Sequence, residues 1–370
     1  MWLRSARFQN FKALANCDVA LGTTTLLVGK NGSGKSSVLD GIGLLARAVN
    51  GVEPETLFAG DWSLDLVRTH EALTRTAVTV DVDDSSESSE PARLRLEAIL
   101  GTEGLEVCAR GEPRQRDEEF GSDTARTLRE ERWERLRGAQ RLHLQANRLA
   151  APSVAEGAVP TLSADGYGLA TVLAWLAGNE PETRDDILHD LRELLPSVRR
   201  LRTPRREIGI EEEVPLSIGG STTVVRRPRR VIADTFELEI GEGWVPATHL
   251  SEGTLIVLGL LTALHAQPSA KIVMLDDIER GLHPAAQRQL ARILRALCKA
   301  EWNGLQLLAT THSPFVVDGF DPADVRVMRL DEKGHATCQR LTDHPDWERW
   351  KDTMKAGEFW SFVGEEWMFG

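Results

Sequence analysis

Three short apolar runs, closed by glycine, by acid, or by histidine and proline, set the frame of this chain. Residues 23–28 (TTTLLV) are continuously apolar or β-branched and stop at Gly29. Residues 271–277 (KIVMLDD) stop at two aspartates, and residues 305–314 (LQLLATTHSP) stop at a histidine and a proline. Runs of this length with polar closures predict buried strands of a parallel sheet. Two longer stretches have helical spacing. Residues 36–49 (SSVLDGIGLLARAV) follow the first run directly, and residues 249–264 (HLSEGTLIVLGLLTAL) carry Ser251 where a helix wants its N-cap.

The middle of the chain reads differently. Residues 70–84 end as an alternating strand, residues 84–92 (DSSESSEPA) form a polar acidic loop, and residues 93–100 and 104–111 alternate like two paired strands. Residues 122–141 (SDTARTLREERWERLRGAQR) begin with a capping residue and carry dense mixed charge, which predicts an exposed helix up to Arg141. LHLQAN, from Leu142, reads as the next strand. Residues 165–178 and 181–198 predict two more helices, the second clearly amphipathic. The expected segments are an N-terminal lobe over 1–84, a β subdomain and helical insertion over 85–245, a C-terminal lobe over 246–345 and an aromatic tail over 346–370.

Composition narrows the class. The chain has 370 residues, long enough for a large core with insertions. Its net charge of −12 argues against nonspecific coating of nucleic acid, although a local basic patch stays open. No run reaches the length of a membrane span and no secretion signal is visible, so a cytoplasmic protein with no membrane partner is expected. Cys17, Cys108, Cys298 and Cys338 are scattered without a C-x-x-C pair, which speaks for reduced thiols and against zinc.

The chemistry lies at the ends of the apolar runs. GKNGSGKS, residues 29–36, fits G-x-x-x-x-G-K-[ST] between a strand and a helix. Glycines let backbone N–H groups turn toward a polyphosphate, and the helix start adds partial positive charge. The expected nucleotide contacts are Gly29, Lys30, Asn31, Gly32, Ser33, Gly34, Lys35, Ser36 and Ser37. Lys35 reaches the β- and γ-phosphates, and Ser36 with Asp276 holds Mg²⁺. Asp277 stands where a carboxylate polarises the attacking water. His312 can sense the γ-phosphate or position that water. Ser251, Glu252 and Gly253 open a helix whose N-terminus is a second anion site, able to complete the phosphate site of another subunit.

The order GKNGSGKS, LSEGT, VMLDDIERGLHP, THSP resembles the ABC-type ATPase heads of the RecF/SMC/OLD group. More narrowly, it resembles the AAA_21-type ATPases of bacterial defence and genome-maintenance operons. The likeness covers roughly residues 1–50, whose opening is similar to the family's first hairpin, and 230–330. It implies an α/β fold: a P-loop NTPase ABC-type head with a mixed sheet, an antiparallel β subdomain and a helical insertion. It also implies ATP and Mg²⁺ as cofactors and a head-to-tail dimer formed on ATP. There Ser251, Glu252 and Gly253 meet the γ-phosphate held by the partner's loop, His312 is the switch histidine, and His283 lies near the dimer seam. Two departures stand out. Asp276-Asp277 replaces the usual Asp-Glu, which leaves Asp277 to serve through a shifted water, Glu279 to contribute, or hydrolysis slow. LSEGT replaces LSGGQ. Gln145 is the candidate Q-loop glutamine.

The expected role is an ATPase that senses or regulates in antiphage defence, with a separate effector, a nuclease, because the OLD-type nuclease domain finds no room after THSP. Two alternatives remain. One is a RecF-like repair ATPase gripping DNA through the arginines of residues 198–207 and 224–231, which Glu211, Glu212 and Glu213 could equally neutralise. The other is a transporter's nucleotide-binding subunit. The aromatic tail, residues 346–368, either packs on the head or forms a docking surface.

Overall fold

The computed structural model describes residues 2–50, 52, 75–83, 92–101, 104–112, 136–155, 157–218, 221–266, 272–299 and 304–369. The chain divides into two compact units, residues 1–142 with 268–370, and residues 143–267.

The first unit opens with a hairpin, β1 (Trp2–Phe11) and β2 (Leu14–Ala20), then β3 (Thr24–Val28) and helix α1 (Lys35–Val49). Strands β4 (Arg75–Asp83), β5 (Ala92–Gly101) and β6 (Gly104–Glu112) follow, and β7 (Ala139–Leu142) closes this part. One sheet is antiparallel, in the order β2-β1-β4-β5-β6. The alternating runs read from the sequence thus pair as expected, β5 with β6 across residues 102–103.

Residues 122–135 lie outside the described residues, so the exposed helix expected there is not described. Its end is corrected: Ala139–Leu142 is strand, paired in parallel with the 272–275 run. Strand LHLQAN is corrected too, since it stops at Leu142 and Ala146–Leu149 is a helical turn, α2. Neither change has a local signal. Sheet pairing overrides the charge-rich composition around β7, an edge strand with three half-buried residues out of four.

The second unit continues with α3 (Leu169–Asn179), α4 (Pro181–Leu194), β8 (Val198–Arg202), β9 (Arg205–Ile218), β10 (Ser221–Asp234), β11 (Glu237–Ile240), β12 (Gly243–Pro246) and α5 (Glu252–Ala266). Strands β9 and β10 form a two-stranded ribbon, while β8 joins β11 and β12 in another sheet. The register therefore does not pair the two arginine-rich stretches with each other: Arg205–Glu207 faces Ile232–Asp234, just past the second stretch. Helix α5 is apolar nearly all round and buried, as its composition requires.

The chain then returns to the first unit with β13 (Ile272–Leu275), α6 (Pro284–Lys299), β14 (Gln306–Thr311), α7 (Pro314–Val317), β15 (Val325–Leu330) and β16 (Ala336–Arg340). The second sheet has the order β16-β15-β3-β14-β13-β7, parallel except for β16. Phe8, Phe11, Leu14, Leu39, Ile42, Leu45, Met274 and Leu308 share one core between the hairpin, α1 and this sheet. Gln306, fully buried, ties the sheets: its amide accepts from Leu3 N and donates to the carbonyls of Leu3 and Gly22. The tail packs on this unit through α8 (Trp347–Trp350) and α9 (Ala356–Val363), where Phe359, Trp347 and Trp360 are buried. Phe362 stays exposed.

Candidate nucleotide site

Strands β3, β14 and β13 are consecutive and parallel, so their carboxyl ends lie side by side. That edge of an open parallel sheet is where ligands bind. Each strand end carries one of the motifs: the glycine loop after β3, the aspartate pair after β13, and His312 after β14.

The loop has the backbone a phosphate cradle needs. Gly29, Gly32 and Gly34 all have positive φ. At Gly29 a Cβ would stand 2.3 Å from the Met328 carbonyl oxygen, so only glycine fits. Around Gly32 the space is open. Lys35 is buried, and its Nζ donates to the carbonyls of Gly29 (2.9 Å) and Lys30 (3.0 Å), holding the cation beneath its own loop. Burial lowers its pKa, opposed by the charges of Asp277, Asp276, Glu279 and Glu365. Ser33 Oγ is buried without a hydrogen-bond partner. A cationic ammonium, an orphaned hydroxyl and an open turn are the donor set a polyphosphate would satisfy. Lys30 is exposed, 3.8 Å from buried Glu365 of the tail, while Asn31 is exposed and Ser37 half-buried.

Ser36 donates to Asp276 Oδ1 at 3.0 Å, which joins the two residues assigned to the metal. They are an all-oxygen pair, suited to Mg²⁺. Thr310 donates to the same oxygen at 2.5 Å and also accepts from Asp277 N at 2.9 Å. Asp276 Oδ2 accepts from Arg141 at 3.1 Å.

The remaining acids divide cleanly. Glu279 is buried, with its carboxylate accepting from Thr311 Oγ1 (2.6 Å) and His312 N (2.9 Å) and pairing with His312 Nδ1 (2.8 Å). A hydrogen on Nδ1 leaves Nε2 for other partners. Asp277 instead has 53% of its side chain exposed and lies 3.8 Å from His312 Nδ1. Its φ is +48°, a left-handed conformation that costs energy for a non-glycine residue. Burial raises its pKa first, then the charges of Asp276 and Glu279, against His312 and Lys35. Of the acids after β13, Asp277 is thus the exposed one, whereas Glu279 fixes the histidine.

Thr310, Thr311, Arg141 and Asp40 belong to this constellation and were not singled out by sequence reasoning. The two threonines sit inside the run ATTHSP and could have been found as polar residues closing a buried strand.

The signature and Q-loop candidates lie in the second unit. Ser251 caps α5: its Oγ accepts from Thr254 N at 3.2 Å and meets Thr254 Oγ1 at 2.8 Å. Ser251 and Glu252 are exposed and Gly253 is buried. Gln145 is exposed and precedes α2 with extended backbone. In the first unit, His283 is exposed ahead of α6 and accepts from Ala285 N.

The sequence model of the AAA_21 family, described as "AAA domain, putative AbiEii toxin, Type IV TA system", matches residues 24–318. The chain belongs to this family. Its fold is that of ABC-type P-loop ATPase heads of the SMC and RecF group. The crystal structure of an Smc head bound to the C-terminal winged-helix domain of ScpA superposes with a TM-score of 0.55 at 14% identity, covering 92% of this chain and 97% of that one. The SMC head domain from Thermotoga maritima gives 0.47 at 15% identity, with 92% and 99% covered. No curated protein matches the chain. As an AAA_21 member it carries the nucleotide-binding loop within the matched region. Among the described residues no helix is long and apolar enough to cross a membrane.

Proposed function

We propose that this AAA_21 protein binds ATP with Mg²⁺ and hydrolyses it as a head-to-tail dimer. The observation that carries this reading is the meeting of Lys35, the Ser36–Asp276 pair, Asp277 and His312 at three neighbouring strand ends. Lys35 would turn from its loop carbonyls to the β- and γ-phosphates. Ser36 and Asp276 would hold Mg²⁺, which supplies charge neutralisation at the phosphate oxygens. Asp277 would orient a water and take its proton as the water oxygen bonds to the γ-phosphorus and the bond to the β-bridging oxygen breaks. ADP and phosphate leave. His312, held by Glu279, would face the same phosphate, and Ser251 at the start of α5 would meet the nucleotide of the other subunit.

Closing on ATP and reopening after hydrolysis make a two-state switch. We assign it to sensing or regulation in antiphage defence, acting on a separate effector, a nuclease. The family description, which names a putative toxin of a toxin–antitoxin system, is what supports a defence role.

The test is ATP turnover and oligomeric state measured together. Wild type should hydrolyse ATP and dimerise, Lys35→Ala and Ser251→Arg should lose both, and Asp277→Ala should hold an ATP-bound dimer. Normal turnover by Asp277→Ala would remove Asp277 from the mechanism. A second reading, a DNA-dependent repair ATPase, is favoured by exposed Arg227, Arg229 and Arg230 on β10. It requires DNA to stimulate turnover with a steep salt dependence.

A further inference from the structure

Arg141 forms ion pairs with two acids from different elements. On β7, it faces Met274 in the parallel pairing with β13, two residues before Asp276. Its Nη2 donates to Asp276 Oδ2 at 3.1 Å, and its Nη1 pairs with Asp40 of α1. Asp40 also accepts from Lys12 Nζ at 2.5 Å, at the β1–β2 turn. Charges therefore alternate along Lys12, Asp40, Arg141 and Asp276. Both acids are nearly buried, Asp40 at 10% and Asp276 at 15% side-chain exposure. The Nε of Arg141 is buried and has no hydrogen-bond partner.

The lone pairs of Asp276 show what this arrangement does. A carboxylate offers about four acceptor positions. Oδ1 is taken by Ser36 and Thr310, and Oδ2 by Arg141. The carboxylate assigned to the metal thus already has a cation on it. A divalent ion entering there would meet a guanidinium a few ångströms away at a part-buried carboxylate, where like charges repel.

We propose that Arg141 is a built-in counter-ion of Asp276 that opposes divalent metal in the nucleotide-free protein, and that Asp40 is the second anchor onto which the guanidinium withdraws when metal and nucleotide arrive together. Arg141 is then a positioning residue acting through Asp276, and metal loading is coupled to nucleotide loading. The inference rests on the nucleotide-site reading above.

The test uses Mn²⁺ as the metal probe, read by electron paramagnetic resonance on the full chain without nucleotide. Binding of a fluorescent ATP analogue in the presence of Mg²⁺ is measured on separate portions of the same preparations. Arg141→Gln should bind Mn²⁺ about tenfold more tightly than wild type, the scale of removing one partly screened charge from the neighbourhood of the ion. Arg141→Lys should show a smaller gain, because the charge remains while the two-pronged contact is lost. Asp40→Asn should move the other way, because Arg141 is then left to Asp276 alone. Asp276→Asn should lose Mn²⁺ binding. Unchanged or weaker Mn²⁺ binding in Arg141→Gln, or in Arg141→Lys should the first variant not fold, overturns the proposal. If the ATP analogue fails to bind wild type while the Mn²⁺ shifts appear, the nucleotide reading fails and the counter-ion assignment stands.

Discussion

The division of labour between Asp277 and Glu279 is the sharpest feature at the scale of single residues. The sequence left both in play, because it shows their spacing and not their surroundings. The structure gives Glu279 three partners from the end of β14 and leaves Asp277 beside solvent with a raised pKa. A base must be ionised, so kcat/KM should fall with acid through a pKa above the usual 3.8 of aspartate. A pH profile checks this, and Asp277→Asn should abolish turnover. The same raised pKa means that folding disfavours the charged form, so stability is lost as pH rises through that range. Asp277→Asn should therefore raise Tm at neutral pH while removing activity, a trade seen where sites store strain. Thr310→Val should do the reverse in the thermal melt. It leaves the Asp277 N–H without its partner and should destabilise by about 1–3 kcal/mol. Gly29→Ala should cost on the order of 1–3 kcal/mol by collision with Met328 backbone, a loss that denaturant titration can read. The positions of Lys35, Ser36, Asp276 and His312 were legible because each stands at the edge of a strongly patterned run. Arg141 and Asp40 were not: their meeting depends on β7 pairing with β13, more than a hundred residues later.

At the scale of elements, strongly apolar runs were readable and weakly apolar ones were not. Strands β3, β13 and β14 and helices α1 and α5 fall where periodicity puts them. Strand β7 does not, since AQRL carries little pattern and owes its conformation to the sheet edge. The ribbon β9–β10 changes the view of the arginine-rich stretches. Its register sets Arg227 opposite Glu212 and Arg226 opposite Glu213. At the start of helix α5 a cap and the proposed nucleotide contact fall on one residue. Ser251 caps the helix, and Ser251→Ala should lower stability by about 1 kcal/mol. Ser251→Asp keeps a capping oxygen and should retain that stability, yet it should lose the ATP-dependent dimer by placing negative charge against phosphate. Melting curves and light scattering on the two variants separate capping from nucleotide contact.

For the whole molecule, the first unit contains the glycine loop, the Ser36–Asp276 pair, Asp277 and His312, and the second contains Ser251. In the proposed sandwich of two chains, the serine of one would serve the loop of the other. The tail adds a link of its own, because Glu365 reaches Lys30 of the loop and Arg329 donates to the Glu365 and Glu366 carbonyls. The central claim is that ATP closes two chains and that hydrolysis opens them. The most direct measurement is light scattering on Asp277→Ala with ATP and Mg²⁺, beside the double variant Asp277→Ala/Ser251→Arg. The account predicts a stable dimer for the first and a monomer for the second. A monomer for both, with ATP bound, would contradict it.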